Sequence, residues 1–99
     1  MIEVFLCADS YFGSDETIYQ DFKYVIVENG KVSTMPADNQ QDEKNMWEKY
    51  PERNWNDGCL SRWRGKLDRS EMTDSLAIEK PEVWAALNEW TEFQDRSAG

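Results

Sequence analysis

Asp9 stands twelve residues before Asp21, and Asp21-Phe22-Lys23 sets a lysine two positions after the second acid. Two carboxylates beside a strand can hold Mg²⁺, and a neighbouring ammonium can help a bound water attack a phosphodiester. Other chemistry is narrower still. The chain has no histidine, which removes Ser-His-Asp and Cys-His nucleophiles and imidazole-ligated zinc or haem. Cys7 and Cys59 cannot complete a four-ligand zinc site on their own, and their spacing leaves a disulfide undecided. Cys59 lies near Arg62, but no base accompanies it to make a catalytic thiol. Asp38 to Glu43 lacks the Asp/Asn alternation and the sixth-position glycine of a calcium loop. Gly13, Gly30, Gly58 and Gly65 form no phosphate-binding loop.

The Asp9, Asp21, Lys23 set resembles the loose pattern of metal-dependent nucleases of the PD-(D/E)xK type. That fold needs a larger sheet than this chain offers, and an acidic surface repels a phosphate backbone. Solvent-facing residues flanking a strand account for the same letters. A small metal-dependent nuclease is therefore the third reading. The reading adopted assigns no catalytic residue, metal ligand or cofactor.

Charge carries more information. The 99 residues hold 20 Asp plus Glu against 11 Lys plus Arg, a formal net charge of −9. Leu, Ile, Val and Phe total 18, close to the border of disorder for so charged a chain, but five Trp and four Tyr supply large buried area. One domain with an aromatic core is expected over residues 1–99. The charge is partitioned: −5 over residues 1–22, +1 over 23–35, −3 over 36–52, +3 over 53–69 and −5 over 70–99. Arg53, Arg62, Arg64, Lys66 and Arg69 form a basic island interleaved with Trp55 and Trp63. Basic and aromatic interleaving can hold single strands, yet the acidic remainder argues against direct binding of nucleic acid or an anionic membrane. No apolar run approaches the ~20 residues that span a bilayer, and no signal-peptide form is present. A cytoplasmic location with reduced thiols is the expectation.

The elements that must position these groups read as α+β. Ile2, Val4 and Leu6 alternate with Phe5 and Cys7 in a strand over about residues 2–7. Strands over about 22–28 and 31–35 flank Asn29-Gly30, the strongest short hairpin signal. A two-residue turn pairs Glu28 with Lys31, Val27 with Val32 and Val25 with Thr34. One face of that hairpin is Val25, Val27, Val32 and the other Tyr24, Ile26, Met35, so both sides need cover. The stretch from Asp9 to Asp21 reads as an acidic loop. Asp38 with Gln41 has capping-box spacing for a helix over about 39–50, ended by Pro51. Leu60, Trp63 and Leu67 suggest a short helix over about 57–66, although Gly65 weakens it; residues 70–78 read as a loop or a single turn. Pro81 opens a last helix over about 81–95 with an apolar stripe of Val83, Ala86, Leu87, Trp90 and Phe93. The expected architecture is a three-stranded, mostly antiparallel sheet with two or three helices packed on it.

The exposed acids are expected to bind a partner: Asp9, Asp15 and Glu16 with the aromatics Tyr11 and Phe12, then Asp38, Asp42 and Glu43, then Glu89 and Glu92. Aromatics among acids are interface anchors, and charge complementarity steers association. In composition the chain is similar to small phage or mobile-element proteins that inhibit host machinery. That similarity implies a non-enzymatic inhibitor whose acids stand in for phosphates on a nucleic-acid-binding host protein. The second reading is a homo-oligomeric structural or adaptor protein, for example a homodimer joined through exposed aromatics.

Overall fold

The Asn29-Gly30 turn is formed with positive φ at both residues, 52° and 77°, as a type I′ connection requires. It joins β2 (Ile18–Glu28) to β3 (Lys31–Pro36) in the expected register, with Glu28 opposite Lys31 and Val25 opposite Thr34. The computed structural model describes the backbone of residues 1–98 and the side chains of residues 1–90.

The first strand is longer than the apolar pattern indicates. β1 (Ile2–Phe12) pairs antiparallel with β2 along its whole length, from Ile2 opposite Glu28 to Phe12 opposite Ile18. The stretch expected as an acidic loop is thus mostly a projecting hairpin arm. Its tip is compact: Gly13 N–H donates to Thr17 O at 2.8 Å, and Glu16 takes a positive φ of 63°. Periodicity missed the extension because each face of the arm mixes polar residues with exposed aromatics, so neither reads as an apolar stripe.

After β3 the chain crosses through α1 (Gln40–Lys49) into β4 (Asn54–Trp63), which lies parallel to β1 on the side away from β2. β4 then turns through Arg64-Gly65, both with positive φ (51° and 86°), into the two-residue β5 (Lys66–Leu67). The sheet is therefore five-stranded and mixed, in the order β3-β2-β1-β4-β5, rather than three-stranded. The helix expected over 57–66 is this strand and turn. Leu60, Trp63 and Leu67 fit a helical stripe by spacing alone. Gly58, with φ of 95°, and Gly65 cannot occupy right-handed helix there.

Two helices follow, α2 (Glu71–Glu79) and α3 (Pro81–Ala98). The region that read as a loop or single turn is α2, held by a reciprocal capping box between Ser70 and Thr73. α1 is capped one residue later than its sequence spacing suggests. Asn39 accepts from Asp42 N–H, and the Asp42 carboxylate accepts from Asp38 N–H, each at 2.9 Å. The architecture is α+β, with helices on both sides of the sheet.

Strand alternation divides the core accordingly. Phe5, Cys7, Val25, Val27 and Leu60 pack against Leu76, Ala86 and Leu87 of α2 and α3. Val4, Tyr24 and Ile26 pack against Met46 of α1, with Met35, Trp47 and Tyr50 around them. Each fully buried Phe or Leu removes enough apolar area to stabilise by roughly 1.5–3 kcal/mol. α2 and α3 cover their face with two helices, whereas α1 is ten residues long and covers only part of the other. That asymmetry positions the candidate site.

Candidate functional site

The side chains of Asp9, Lys23 and Arg62 meet on the face covered by α2 and α3. Register places Asp9 opposite Asp21 on β2 and beside Arg62 on β4. The Arg62 guanidinium, 5% exposed, binds both carboxylate oxygens of Asp9 and lies 3.9 Å from the centre of the Trp90 ring. Lys23 Nζ adds a second contact at 3.0 Å. Burial pushes the Asp9 pKa up, but hydrogen bonds from Arg62 and then Lys23 outweigh it and hold the carboxyl below its ordinary range. The chain's own cations thus engage both oxygens of Asp9. Among the described residues no group of three or more acids or cysteines converges in a way that could hold a metal ion.

A second acid is likewise engaged by internal partners. Glu3 accepts from Lys80 Nζ at 2.6 Å and from Asn54 Nδ2 with both oxygens. Arg53 stacks 3.2 Å over the Trp47 ring and donates to the Tyr50 carbonyl. Among the described residues Lys23, Arg53, Arg62 and Lys80 are therefore turned toward the fold, three of them paired with Glu3 or Asp9. Part of the basic island is structural, and the outer surface is more one-sidedly negative than the formal −9 suggests.

The uncovered half of the α1 face is where exposed apolar groups gather. Phe12 and Ile18 are opposite each other, Ala8 is opposite Phe22, and Ser10 is opposite Trp63, so all point to one side of the sheet. Tyr24, two residues past Phe22, carries that side under α1. Phe12 meets Trp63 edge to face with centroids 5.0 Å apart. Even so, Phe12 is 53%, Ile18 61% and Phe22 41% exposed. Burying such groups in an interface is worth more than leaving them wet.

Acids rim this patch. At one end is the hairpin tip, where Glu16 is exposed; Asp15 there turns to the Tyr19 side, accepting from Tyr19 Oη at 2.8 Å and from Thr17 N–H, which holds its carboxyl below the ordinary range. At the other end is the N-terminus of α1, where Asp38 and Glu43 are exposed and Asp42 is half-buried. Burial raises the Tyr24 phenol pKa, and the nearby Glu43 and Asp42 charges raise it further. Glu43 also accepts from Trp47 Nε1 at 3.2 Å. A groove of about 310 Å³ where β3 leaves β2 is lined by Asp21, Phe22, Lys23, Thr34, Met35, Pro36 and Asp38.

The sequence-derived partner set therefore separates. Phe12, Glu16, Asp38, Asp42 and Glu43 border one surface, while Asp15 is bonded to Tyr19 on the other. Tyr11 stacks on Tyr19 on the opposite side, its phenol pKa raised first by the charge of Asp21. Asp9 is inside the ion-pair network. Glu89 is exposed on α3, across the sheet, and the Glu92 side chain lies outside the described residues. Ile18, Phe22 and Trp63 were not singled out from sequence. Their signal was the alternation Ile18, Gln20, Phe22 in register with Phe12, legible only once Asp9 to Asp21 is read as strand.

Cys7 and Cys59 are free thiols, the first buried and the second exposed. Cys7 is opposite Leu60, so Cys59 projects from the other face of the sheet. Burial, and then the Asp9 charge, push the Cys7 pKa up to about 11. Among the described residues no helix is long and apolar enough to cross a membrane. Comparison with protein-family models, curated proteins and solved structures finds no significant match.

Proposed function

We propose that this chain is a small acidic binding protein whose docking surface is the uncovered face of β1, β2 and β4. The observation that carries the reading is the exposed set Phe12, Ile18 and Phe22, with Glu16 at the hairpin tip on one side and Asp38, Asp42 and Glu43 on the other. An apolar centre with a charged rim is the usual anatomy of a protein interface. Acids outnumber bases around it, Lys66 opposite Trp63 being the base that register places on this face, so the partner is a larger protein presenting a basic surface around an apolar anchor point. A nucleic-acid-binding protein has such a surface, and the carboxylates then occupy the positions of phosphates. The chain acts without catalysis, by occlusion, in the cytoplasm where such targets work; its composition suits an inhibitor carried by a phage or mobile element. Self-association through the same face would bring two acidic rims together, which favours a basic partner over a second copy.

The test is affinity capture from a bacterial lysate, with identification of the captured protein and release by added duplex DNA or RNA. Support is capture of a nucleic-acid-binding protein that weakens steeply with salt, is competed by nucleic acid and is lost with Asp38→Lys/Asp42→Lys. Capture indifferent to salt, nucleic acid and charge reversal overturns the reading.

A further inference from the structure

The hairpin arm leaves part of a strand edge open. β3 pairs with β2 only from Lys23 to Glu28, ending with Pro36 opposite Lys23. β2 continues for five further residues, Ile18 to Phe22, with β1 on one side and no strand on the other. The Gly13 N–H to Thr17 O bond fixes the phase of the β1–β2 ladder. Tyr11–Tyr19 and Asp9–Asp21 are then the hydrogen-bonded pairs, while Ile18, Gln20 and Phe22 turn their N–H and C=O groups outward. The Lys23–Pro36 pairing brings Phe22 C=O to the end of β3, whereas Ile18 and Gln20 face no strand on this side. Proteins ordinarily blunt such an edge with a proline, a bulge or an outward lysine. Residues 18–22 carry none of these, and the β1–β2 register is uninterrupted.

We propose that this edge receives an extended segment of the partner by strand addition. The proposal rests on the docking reading above and specifies how the partner is held. The segment's chemistry follows from the two sides of the edge. Ile18 and Phe22 on one side call for apolar residues at alternate positions. On the other side Asp21 is exposed while Lys23, which lines the same groove, is held by Asp9; with Asp38 across the groove this calls for Lys or Arg at the intervening positions. A second copy of this chain meets the backbone requirement but sets Asp15, Glu16 and Asp21 against their own counterparts.

The probe is a short synthetic peptide of alternating Val and Lys, with an alternating Val and Glu peptide as control. Amide exchange followed by NMR reads the edge directly. The expected result is that the Ile18 and Gln20 amides exchange freely in the isolated protein and become protected with the Val-Lys peptide only. Gln20→Pro removes an outward N–H without breaking a bond to β1; it should weaken peptide binding at least about tenfold, whereas Gln20→Ala should not. The exchange measurement uses the native sequence and so reads the edge even where the proline variant fails to fold. The proposal is overturned if the peptide does not bind, or binds without protecting these amides. It is also overturned if Gln20→Pro dissolves a dimer in sedimentation, which assigns the edge to a second copy. If strand addition fails while capture remains sensitive to Asp38→Lys/Asp42→Lys, the docking reading stands alone. If that sensitivity is absent, both fall.

Discussion

Replacing Arg62 with Met should cost about 3 kcal/mol of folding stability, at the lower end of the range for breaking a buried ion pair. Met keeps an apolar stem against Trp90, so the change chiefly removes the guanidinium that binds both Asp9 oxygens. The full penalty is not reached because Asp9 retains Lys23 and its side chain is 14% exposed. In a domain of this size, 3 kcal/mol lowers Tm by roughly 12–24 °C. Urea unfolding at about pH 7 measures it, with m-values compared to confirm that the denatured state is unchanged. The pH dependence supplies a second check. Arg62 and Lys23 depress the folded pKa of Asp9 below its ordinary value of 3.8. The unfolded state therefore binds more protons, and the pair's contribution is complete above that value and is lost as pH falls through the folded pKa. The penalty of Arg62→Met should be full at neutral pH and shrink in strong acid. Adding Asp9→Leu to Arg62→Met should recover more than about 1 kcal/mol, because the stranded carboxylate goes with it. A penalty under about 1 kcal/mol, or one unchanged between neutral pH and strong acid, would refute a buried, ionised Asp9–Arg62 pair.

Other consequences are smaller or simpler to read. Met46→Ala should destabilise by about 2–5 kcal/mol, since α1 is anchored to its face of the sheet through this buried side chain; circular dichroism during urea titration measures it. Gly30→Ala should cost about 1–2 kcal/mol by the same assay, although nothing lies within 4 Å of the added methyl, because φ there is 77°. A thiol reagent should modify Cys59 alone in the native protein and both cysteines in denaturant; rapid native modification of Cys7 would contradict its burial. Phe22→Ser should leave stability within about 0.5 kcal/mol and still reduce partner capture; intact capture would remove Phe22 from the docking surface.

The hairpin at Asn29-Gly30 was legible because a local requirement, positive φ at two adjacent residues, has a nearly unique sequence solution. The last helix was legible for a similar reason, with Pro81 at its start and an apolar stripe behind it. The strand at Asn54–Trp63 was not. Leu60, Trp63 and Leu67 satisfy a helical period, and only the long-range pairing of Leu60 with Cys7 and Arg62 with Asp9 selects the extended form. Arg64-Gly65 performs the same turn as Asn29-Gly30 but without its sequence signature. Charge partition was visible in the chain, whereas its resolution required the fold. The buried guanidinium of Arg62 and the stacked Arg53 convert part of a basic island into internal scaffolding. The acids bordering the docking surface could be named individually from sequence. Their association with Ile18 and Phe22 could not, because it depends on register across β1 and β2.

Hydroxyl-radical footprinting of the chain bound to its captured partner tests the central claim most directly, because it reports on the exposed side chains themselves. Ile78, 82% exposed on α2 across the sheet, is an internal reference. The account predicts that Phe12, Ile18 and Phe22 lose most of their oxidation on binding while Ile78 keeps its own. Protection of Ile78 with the three hairpin residues unchanged would place the partner on the opposite side of the molecule and contradict it.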